Sequence, residues 1–409
     1  MKLVRARIVL PISQPAIENG AVALAGKRLA AAGHWTELRG LRHSGEVDLG
    51  ETILLPGLIN CHCHLDYTEL AGKIPPQKTF ADWIKALVAL KAAWTEEDFA
   101  RSWQRGAGML LRNGVTTVAD IESVPGLIPV MWEQTPLRVV SFRELISIKS
   151  AVKALMREAS REWSVLPRKR AGLSPHAPYT ASAELLQLAQ AAARRHHWLL
   201  STHVAESEEE LTMFLHRCGP LYQWLKGQRD MSDCGGVSPV QHLERLGYLR
   251  KNLLAVHANC LTPGDAEILA RRGVSVVHCP RSHAYFQHRS FPREELARAG
   301  VNLCLGTDSL ASCHAQHGAL ELNLFTEMKV LASKSPGLSP GAILKMATVN
   351  GAQALGRRGE LGELRPKALA DVIAIPFAGS KRAAEEAVLH HTGNVAAVMI
   401  DGKWVWGMR

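Results

Sequence analysis

Two histidines separated by a single residue are the feature of this sequence that most clearly predicts chemistry. They lie in Cys61-His62-Cys63-His64, directly after the apolar, strand-like run 53–59. Successive side chains of a β-strand point to opposite faces, so His62 and His64 project from the same face. Imidazole is a common ligand of zinc and of other transition metals. The pair therefore predicts that two imidazoles reach one metal ion from the end of one strand.

Three further polar side chains, His203, His257 and Asp308, each follow an apolar, strand-like segment. A catalytic zinc site takes ligands of these types and leaves a position open for water, whose pKa falls toward about 7. Glu206 lies three residues after His203, and a carboxyl group that is not a ligand can move protons between water and substrate. One such histidine alone is usually structural. A set of such residues that lies at the ends of four different strands predicts a metal-dependent hydrolase.

The composition is that of a large globular protein with a basic surface. The chain has 409 residues, 47% of them apolar, a formal charge of +10 and a pI near 9.3. Lys and Arg are scattered and are not interleaved with aromatic residues, so we expect no nucleic-acid partner. The basic surface instead favours small anionic molecules. The apolar stretch at the N-terminus is too short and interrupted to predict a signal peptide or a membrane span.

Eight cysteines are distributed without a CxxC pair or a compact framework. Several lie inside apolar strand-like runs, where a free thiol behaves as a small hydrophobic side chain. Disulfides are rare in reducing compartments, so this usage predicts a cytoplasmic protein with free thiols.

Short apolar runs alternate with amphipathic helical patterns from about residue 53 onward. Eight of these runs end near His64, Ile121, Arg143, His176, His203, His257, His278 and Asp308. This repeat predicts an α/β fold, a (β/α)₈ TIM barrel, with its active site at the C-terminal strand ends. We expect the barrel to span 56–364, and a small β-sandwich domain to combine 1–55 with 365–409. The Gly-, Ser- and Pro-rich segment 219–250 predicts a long loop over the site.

Four motifs together resemble the amidohydrolase superfamily, in particular its aminohydrolase branch. Pro56 to Leu65 resembles the first metal motif, and His203-Val204-Ala205-Glu206 resembles the HxAE motif of that branch. The segments 277–282 and 305–309 are similar to its later motifs, so the resemblance covers nearly the whole chain. Its members include S-adenosylhomocysteine and methylthioadenosine deaminases, guanine deaminase and chlorotriazine hydrolases.

The resemblance implies a role for each matching residue. His62, His64, His203 and Asp308 would hold one metal ion, zinc or iron. Asp308 would also take a proton from the attacking water, which His257 would orient. Glu206 would protonate the ring nitrogen next to the amine-bearing carbon, and His176 would contact the substrate. Dinuclear members use a Lys at the end of the fourth strand, where this chain has Pro175-His176, so we expect one metal ion per chain.

Two departures from the family pattern concern the substrate. The Glu that grips ribose hydroxyls in nucleoside deaminases of this branch is missing, and Lys91 lies near its place. The usual Ser-Asn after the seventh strand is Ser282-His283. Lys91, Arg143 and Arg281 could therefore form a positive pocket for a carboxylate, with His283 as a further contact. The alternative is that Lys91 is a solvated helix residue, because Lys is rarely buried.

Three functions remain open from the sequence. The first is deamination of an aminated heterocycle, an adenine compound with an acidic tail such as aminodeoxyfutalosine being one case. The second is hydrolysis of another bond, in a triazine or a cyclic amide. The third is a non-catalytic assembly module, which the complete ligand set disfavours. The sequence also leaves open whether the protein is a homodimer. Three tryptophans would lie either at its interface or in the core of the β-domain: Trp35, Trp404 and Trp406.

Overall fold

The computed structural model describes residues 1–148, 151–167, 170–314 and 320–408. Its N-terminal strands are β1 (Lys2–Val9), β2 (Ile17–Ala25), β3 (Arg28–His34), β4 (Gly45–Asp48) and β5 (Thr52–Pro56). The next eight are β6 (Leu58–Cys63), β7 (Val115–Glu122), β8 (Arg138–Leu145), β9 (Ala171–Pro175), β10 (Leu199–Val204), β11 (Leu253–His257), β12 (Ser275–His278) and β13 (Asn302–Leu305). The last three are β14 (Val372–Pro376), β15 (Ala397–Ile400) and β16 (Lys403–Trp406).

Helices follow most of the strands. The first eight are α1 (Trp35–Leu38), α2 (Phe80–Lys91), α3 (Glu96–Arg112), α4 (Ile128–Glu133), α5 (Val152–Ser164), α6 (Ala183–His196), α7 (Glu208–His216) and α8 (Pro220–Leu225). The others are α9 (Pro239–Arg245), α10 (Asp265–Arg272), α11 (Pro280–Tyr285), α12 (Arg293–Ala299), α13 (Leu324–Lys334), α14 (Pro340–Met346), α15 (Val349–Ala354) and α16 (Ala384–Leu389). No helix in the described ranges has the length and apolar character needed to cross a membrane.

Strands β6 to β13 form a parallel sheet in which each strand pairs with its neighbours in the chain. A parallel bridge between Cys63 and Asp308 joins its two ends and nearly closes the barrel. Val140 and Phe142 pack inside with Ile59, Cys61 and Ile121, whereas intervening residues face the helices. The predicted fold class is confirmed, and the eight barrel strands lie where the sequence predicts them.

The remaining strands of both termini form one separate mixed sheet. Its order is β16-β15-β14-β5-β1-β2-β3, and β4 pairs with β1. The apolar run 53–64 is therefore divided between two sheets, β5 in this one and β6 in the barrel, with Gly57 between them. A Cβ at Gly57 would lie 2.1 Å from Thr116 Oγ1, so only glycine permits this close crossing. The predicted turn at Asp401-Gly402 joins β15 to β16, with positive φ at both residues.

Some elements differ from the sequence predictions. The helical pattern of apolar residues predicts one helix over 340–355, whereas the structure forms two short helices there, α14 and α15. The segment 219–250 is not a plain loop, because it contains α8 and α9. Its Leu221 and Leu225 pack in a buried cluster with Phe80 of α2. The segment thereby holds α2 at the C-terminal end of the barrel.

Candidate metal centre and active site

The predicted metal ligands converge at the C-terminal ends of the barrel strands. Within β6 the pairing register with β7 shifts between Asn60 and Cys63. A bulge of this kind adds a residue to one strand and re-aims the side chains that follow it. As a result Ile59 and Cys61 point into the barrel core, and His62 and His64 also turn inward, toward the axis.

Distances within this cluster are short enough for one ion to be shared. The ring centre of His62 lies 4.9 Å from that of His64 and 4.9 Å from that of His203. Asp308 Oδ1 lies 3.5 Å from His62 Nε2 and 3.7 Å from His64 Nε2. Two groups, His62/His64/Asp308 and His62/His203/His257, each have ligand atoms within 4.8 Å of one another. Because both contain His62, the five side chains form one cluster.

The chemistry of this cluster fits a divalent cation. Both ring nitrogens of His62 and Nε2 of His257 are buried without a hydrogen-bond partner among the described residues. Unpaired buried polar atoms are costly, and a metal ion would satisfy them. Burial holds the pKa of His64 and His257 well below the usual range and lowers that of His203 to about 3. The rings are therefore neutral, which is the form that binds metal.

Backbone and side-chain contacts fix the orientation of the ligands. His203 Nδ1 lies 2.9 Å from the carbonyl oxygen of His176, so this nitrogen donates and Nε2 faces the cluster. The Ser312 hydroxyl donates to Asp308 Oδ2 at 3.1 Å. His257 and Asp308 have φ of 74° and 54°, in the left-handed region that non-glycine residues rarely occupy. Two of the five side chains of the cluster are therefore held by residues with a strained backbone conformation.

Glu206 lies beside the cluster, and its Oε1 is 3.5 Å from His257 Nε2. Its helix begins later than the sequence suggests, at Glu208 with Ser207 as N-cap, so Glu206 belongs to the turn after β10. Burial raises the pKa of Glu206 well above its usual range, with further increases from Asp308 and Glu210. Burial therefore favours the protonated form of this carboxyl group, which can donate a proton.

His176 and Lys91 complete one side of the cluster. The ring of His176 lies 4.9 Å from that of His203, and its Nδ1 is 2.7 Å from Thr180 Oγ1. Burial, with the charge of Lys91, lowers the pKa of His176 to about 4. Lys91 at the end of α2 contacts the hydroxyl of Tyr67 and lies 4.1 Å above its ring, which stacks on His64. Lys91 is thus a half-buried neighbour of the cluster.

The other predicted substrate contacts lie elsewhere. Arg143 faces outward from β8, and its Nε is 3.6 Å from Glu162 Oε2 on α5. Arg281 is buried against Glu327, at 2.5 Å, so its charge is neutralised. The ring of His283 borders a separate cavity of about 370 Å³ on the helix side of β12. The structure does not bring these three residues to the cluster.

Glu144 is a nearby residue that the sequence analysis missed. It follows Arg143 on β8 and pairs in register with Ser174 of β9. Side chains alternate along a strand, so Glu144 shares the inner face with Val140 and Phe142. Its charge raises the pKa of Asp66 and of Tyr179, although burial is the larger cause for both. The alternation of apolar residues along β8 was the available signal.

An aromatic cavity of about 410 Å³ opens next to Ser207, the neighbour of Glu206. Phe80 and Trp83 of α2 line one side, and Phe286 lines the other, 4.9 Å from Trp83. Aromatic faces of this kind suit planar or apolar groups. The cavity can therefore accept a planar or apolar group beside the turn that carries Glu206.

Comparison with known proteins identifies the family. The family model described as "Amidohydrolase family" matches residues 53–405. A 5-methylthioadenosine/S-adenosylhomocysteine deaminase of Syntrophobacter fumaroxidans is 32% identical over 88% of this chain and 80% of its own length. The aminodeoxyfutalosine deaminase of Deinococcus radiodurans is 31% identical over 83% of this chain and 82% of its own.

A solved structure described as an adenosine deaminase from Xanthomonas campestris with bound zinc aligns with a TM-score of 0.84 and 25% identity. The alignment covers 98% of this chain and 92% of that one. The predicted resemblance and the predicted enzyme class, a hydrolase acting on C–N bonds, are confirmed by these relatives. The chain belongs to the amidohydrolase family.

Proposed function

We propose that this protein is a deaminase that uses water to release ammonia from an adenine-type nucleoside derivative. The observation that carries the proposal is the position of Glu206, a buried carboxyl group with a raised pKa, beside the cluster of His62, His64, His203 and Asp308. Hydrolytic deamination needs an activated water on one side of the ring and a proton for the ring nitrogen. This arrangement offers both.

His62, His64, His203 and Asp308 would hold one divalent metal ion, with zinc as the first candidate and iron as the second. The family is metal-dependent, and the related adenosine deaminase structure contains zinc. When bound, such an ion lowers the pKa of a coordinated water toward about 7 and so supplies a nucleophile at neutral pH. His257, whose Nε2 has no hydrogen-bond partner among the described residues, would orient that water.

The carboxyl groups of Asp308 and Glu206 transfer the protons in this reaction. Interactions with His62, His257 and His64 outweigh burial and hold the pKa of Asp308 well below its usual range, so Asp308 is ionised and can accept a proton from water. Glu206 donates its proton to the ring nitrogen next to the amine-bearing carbon. The water oxygen bonds to that carbon, the C–N bond breaks, and the proton on Asp308 passes to the amine, which leaves as ammonia. The remaining hydroxyl proton passes to the Glu206 carboxylate, which restores the acid and leaves a carbonyl group on the ring.

The names of the relatives support an adenine nucleoside as the substrate. Both curated relatives described above have names that denote deaminases of adenine compounds. The prediction of an acidic tail depends on Lys91, which lies at the cluster but also lowers the pKa of the neighbouring Asp66. An unchanged kcat/KM of the Lys91→Ala variant for the best acidic substrate would contradict a contact with a carboxylate.

The test is ammonia release by zinc-loaded protein from a substrate panel. The panel contains adenosine, 5′-deoxyadenosine, carboxylate-bearing adenine compounds, guanine, cytosine and a chlorotriazine. We expect ammonia from at least one adenine nucleoside. Chloride from the triazine, with no ammonia from any nucleoside, would favour the second function and overturn the proposal. Failure of the folded protein to bind any divalent metal would favour an assembly module.

A further inference from the structure

We propose that Glu144 is the specificity residue that binds the sugar hydroxyls of the substrate. The proposal rests on the proposed function, because it places the ribose of an adenine nucleoside next to the end of β8. It concerns a residue outside the predicted metal and proton-transfer sets.

Glu144 is placed by the register of the barrel. It pairs with Ser174 of β9, and its neighbour Arg143 pairs with Glu122 of β7. Paired residues of adjacent parallel strands share a face, and Phe142 lies in the core cluster inside the barrel. Glu144 is therefore directed to the interior at the C-terminal end, the side on which TIM barrels bind their substrates.

The Glu144 carboxylate has no hydrogen bond or ion pair among the residues that the structure describes, and it is half-buried. It lies close enough to Asp66 and Tyr179 to act on both electrostatically. Asp66 is two residues from His64, and the ring of Tyr179 lies 5.7 Å from that of His176. Glu144 thus lies at the C-terminal end of the barrel interior, near residues that adjoin the metal cluster, and its acceptor capacity is unused among the described residues.

A carboxylate in this position matches a vicinal diol. An ionised carboxylate only accepts hydrogen bonds, and its two oxygens can accept from two adjacent hydroxyl groups. Asp66 Oδ1 is a second buried acceptor without a partner among the described residues. The charge of Lys91 beside Asp66 disfavours a cationic ligand, because it repels a second positive group. Ribose hydroxyls are neutral donors.

The experiment compares adenosine with 2′,3′-dideoxyadenosine, which lacks both hydroxyls. The variants are Glu144→Gln, Glu144→Asp and the control Arg143→Gln, a neighbour on the opposite face of β8. We expect Glu144→Gln to lower kcat/KM for adenosine roughly 10- to 100-fold, the value of charge-assisted hydrogen bonds. The loss should fall mainly on KM, because the hydroxyls do not react. The same substitution should change kcat/KM for dideoxyadenosine by less than about twofold. Arg143→Gln should leave kcat/KM unchanged for both substrates.

An equal loss on both substrates, or a wild-type protein that does not distinguish them, would overturn the proposal. Glu144→Asp keeps the charge and checks that a loss does not reflect misfolding, since it should retain part of the preference for adenosine. Calorimetric binding of the two nucleosides separates this proposal from the proposed reaction. Tighter binding of adenosine that depends on Glu144, without ammonia release, supports the subsite and rejects the deaminase. Equal affinities of the protein for adenosine and dideoxyadenosine would reject the subsite.

Discussion

Two glutamates near the end of β10 illustrate how environment determines the role of a residue. Glu206 is 6% exposed, and burial raises its pKa well above the usual range. Glu208, two residues later, is half-exposed and pairs with Arg289 at 2.8 Å. Burial therefore favours the protonated form of one glutamate, whereas exposure lets the other form a surface ion pair.

Replacement of Glu206 by Gln removes the transferable proton and preserves the shape of the side chain. We expect kcat for the best nucleoside to fall by about 10² to 10⁴, the usual contribution of a general acid. Zinc content should stay the same, since Glu206 is not among the proposed ligands. Glu208→Gln is the matched control and should leave kcat within about twofold, because an exposed ion pair contributes little. Loss of zinc together with activity in Glu206→Gln would show that Glu206 is a ligand instead.

The clustering of His62, His64, His203 and Asp308 could be predicted from the sequence because each follows an apolar, strand-like run, which is a local pattern. The substrate contacts depend on which face of a strand or helix is turned inward. Arg143 and Glu144 are adjacent, and a shift of one residue exchanges the inner and outer faces. The sequence predicts a contact from Arg143, whereas the register of β8 directs Glu144 inward. Only the assembled barrel distinguishes the two.

At the scale of elements, one ion-pair network joins the terminal sheet to the barrel. Arg138, at the start of β8, lies 3.0 Å from Asp371 and 2.7 Å from Asp401. The Asp371 side chain is only 4% exposed. Removal of one partner of a buried pair leaves an uncompensated charge, which costs more than the pair itself contributes.

Arg138→Leu should therefore lower the free energy of unfolding by about 3 kcal/mol. Urea unfolding followed by tryptophan fluorescence measures this change. The double variant Arg138→Leu/Asp371→Leu should recover part of the loss, because neither charge then remains buried alone. Arg271→Leu, in which the arginine side chain is 60% exposed, is the control and should cost less than about 1 kcal/mol. If Arg138→Leu and Arg271→Leu lowered the free energy of unfolding equally, this would contradict a role for the network in joining the two sheets.

Most elements could be predicted from sequence because their periodicity and caps are strong. The eight barrel strands end near the residues at which the sequence predicts them to end. The division of 340–355 into two helices follows from tertiary packing, since α15 packs beneath the barrel and Gly351 lies against Cys61. No local pattern encodes such a contact between distant segments.

For the whole molecule, the fourth barrel strand predicts the number of metal ions. It ends in Pro175 and is followed by His176, and it offers no lysine for a second metal site. Elemental analysis of the purified protein should give one zinc or iron ion per chain. Chelation of this ion should abolish ammonia release, and zinc should restore it. Two tightly bound ions per chain would contradict the mononuclear site.

The domain boundaries, the cytoplasmic location and a homodimer stay predictions. In the assembled molecule Trp406 is 37% exposed on the last strand, whereas Trp404 packs against the core of the terminal sheet. The sequence alone could not separate these environments, because the two residues alternate on a strand whose partner is supplied by the rest of the sheet.

The most direct test of the central claim is deamination of an adenine nucleoside in ¹⁸O-labelled water by the zinc-loaded protein. The account predicts one ammonia released for each product formed, and one labelled oxygen on the carbon that carried the amine. It also predicts that the Glu206→Gln variant forms almost none of this product. A product that keeps its amine, or that gains the label at another carbon, would contradict the account.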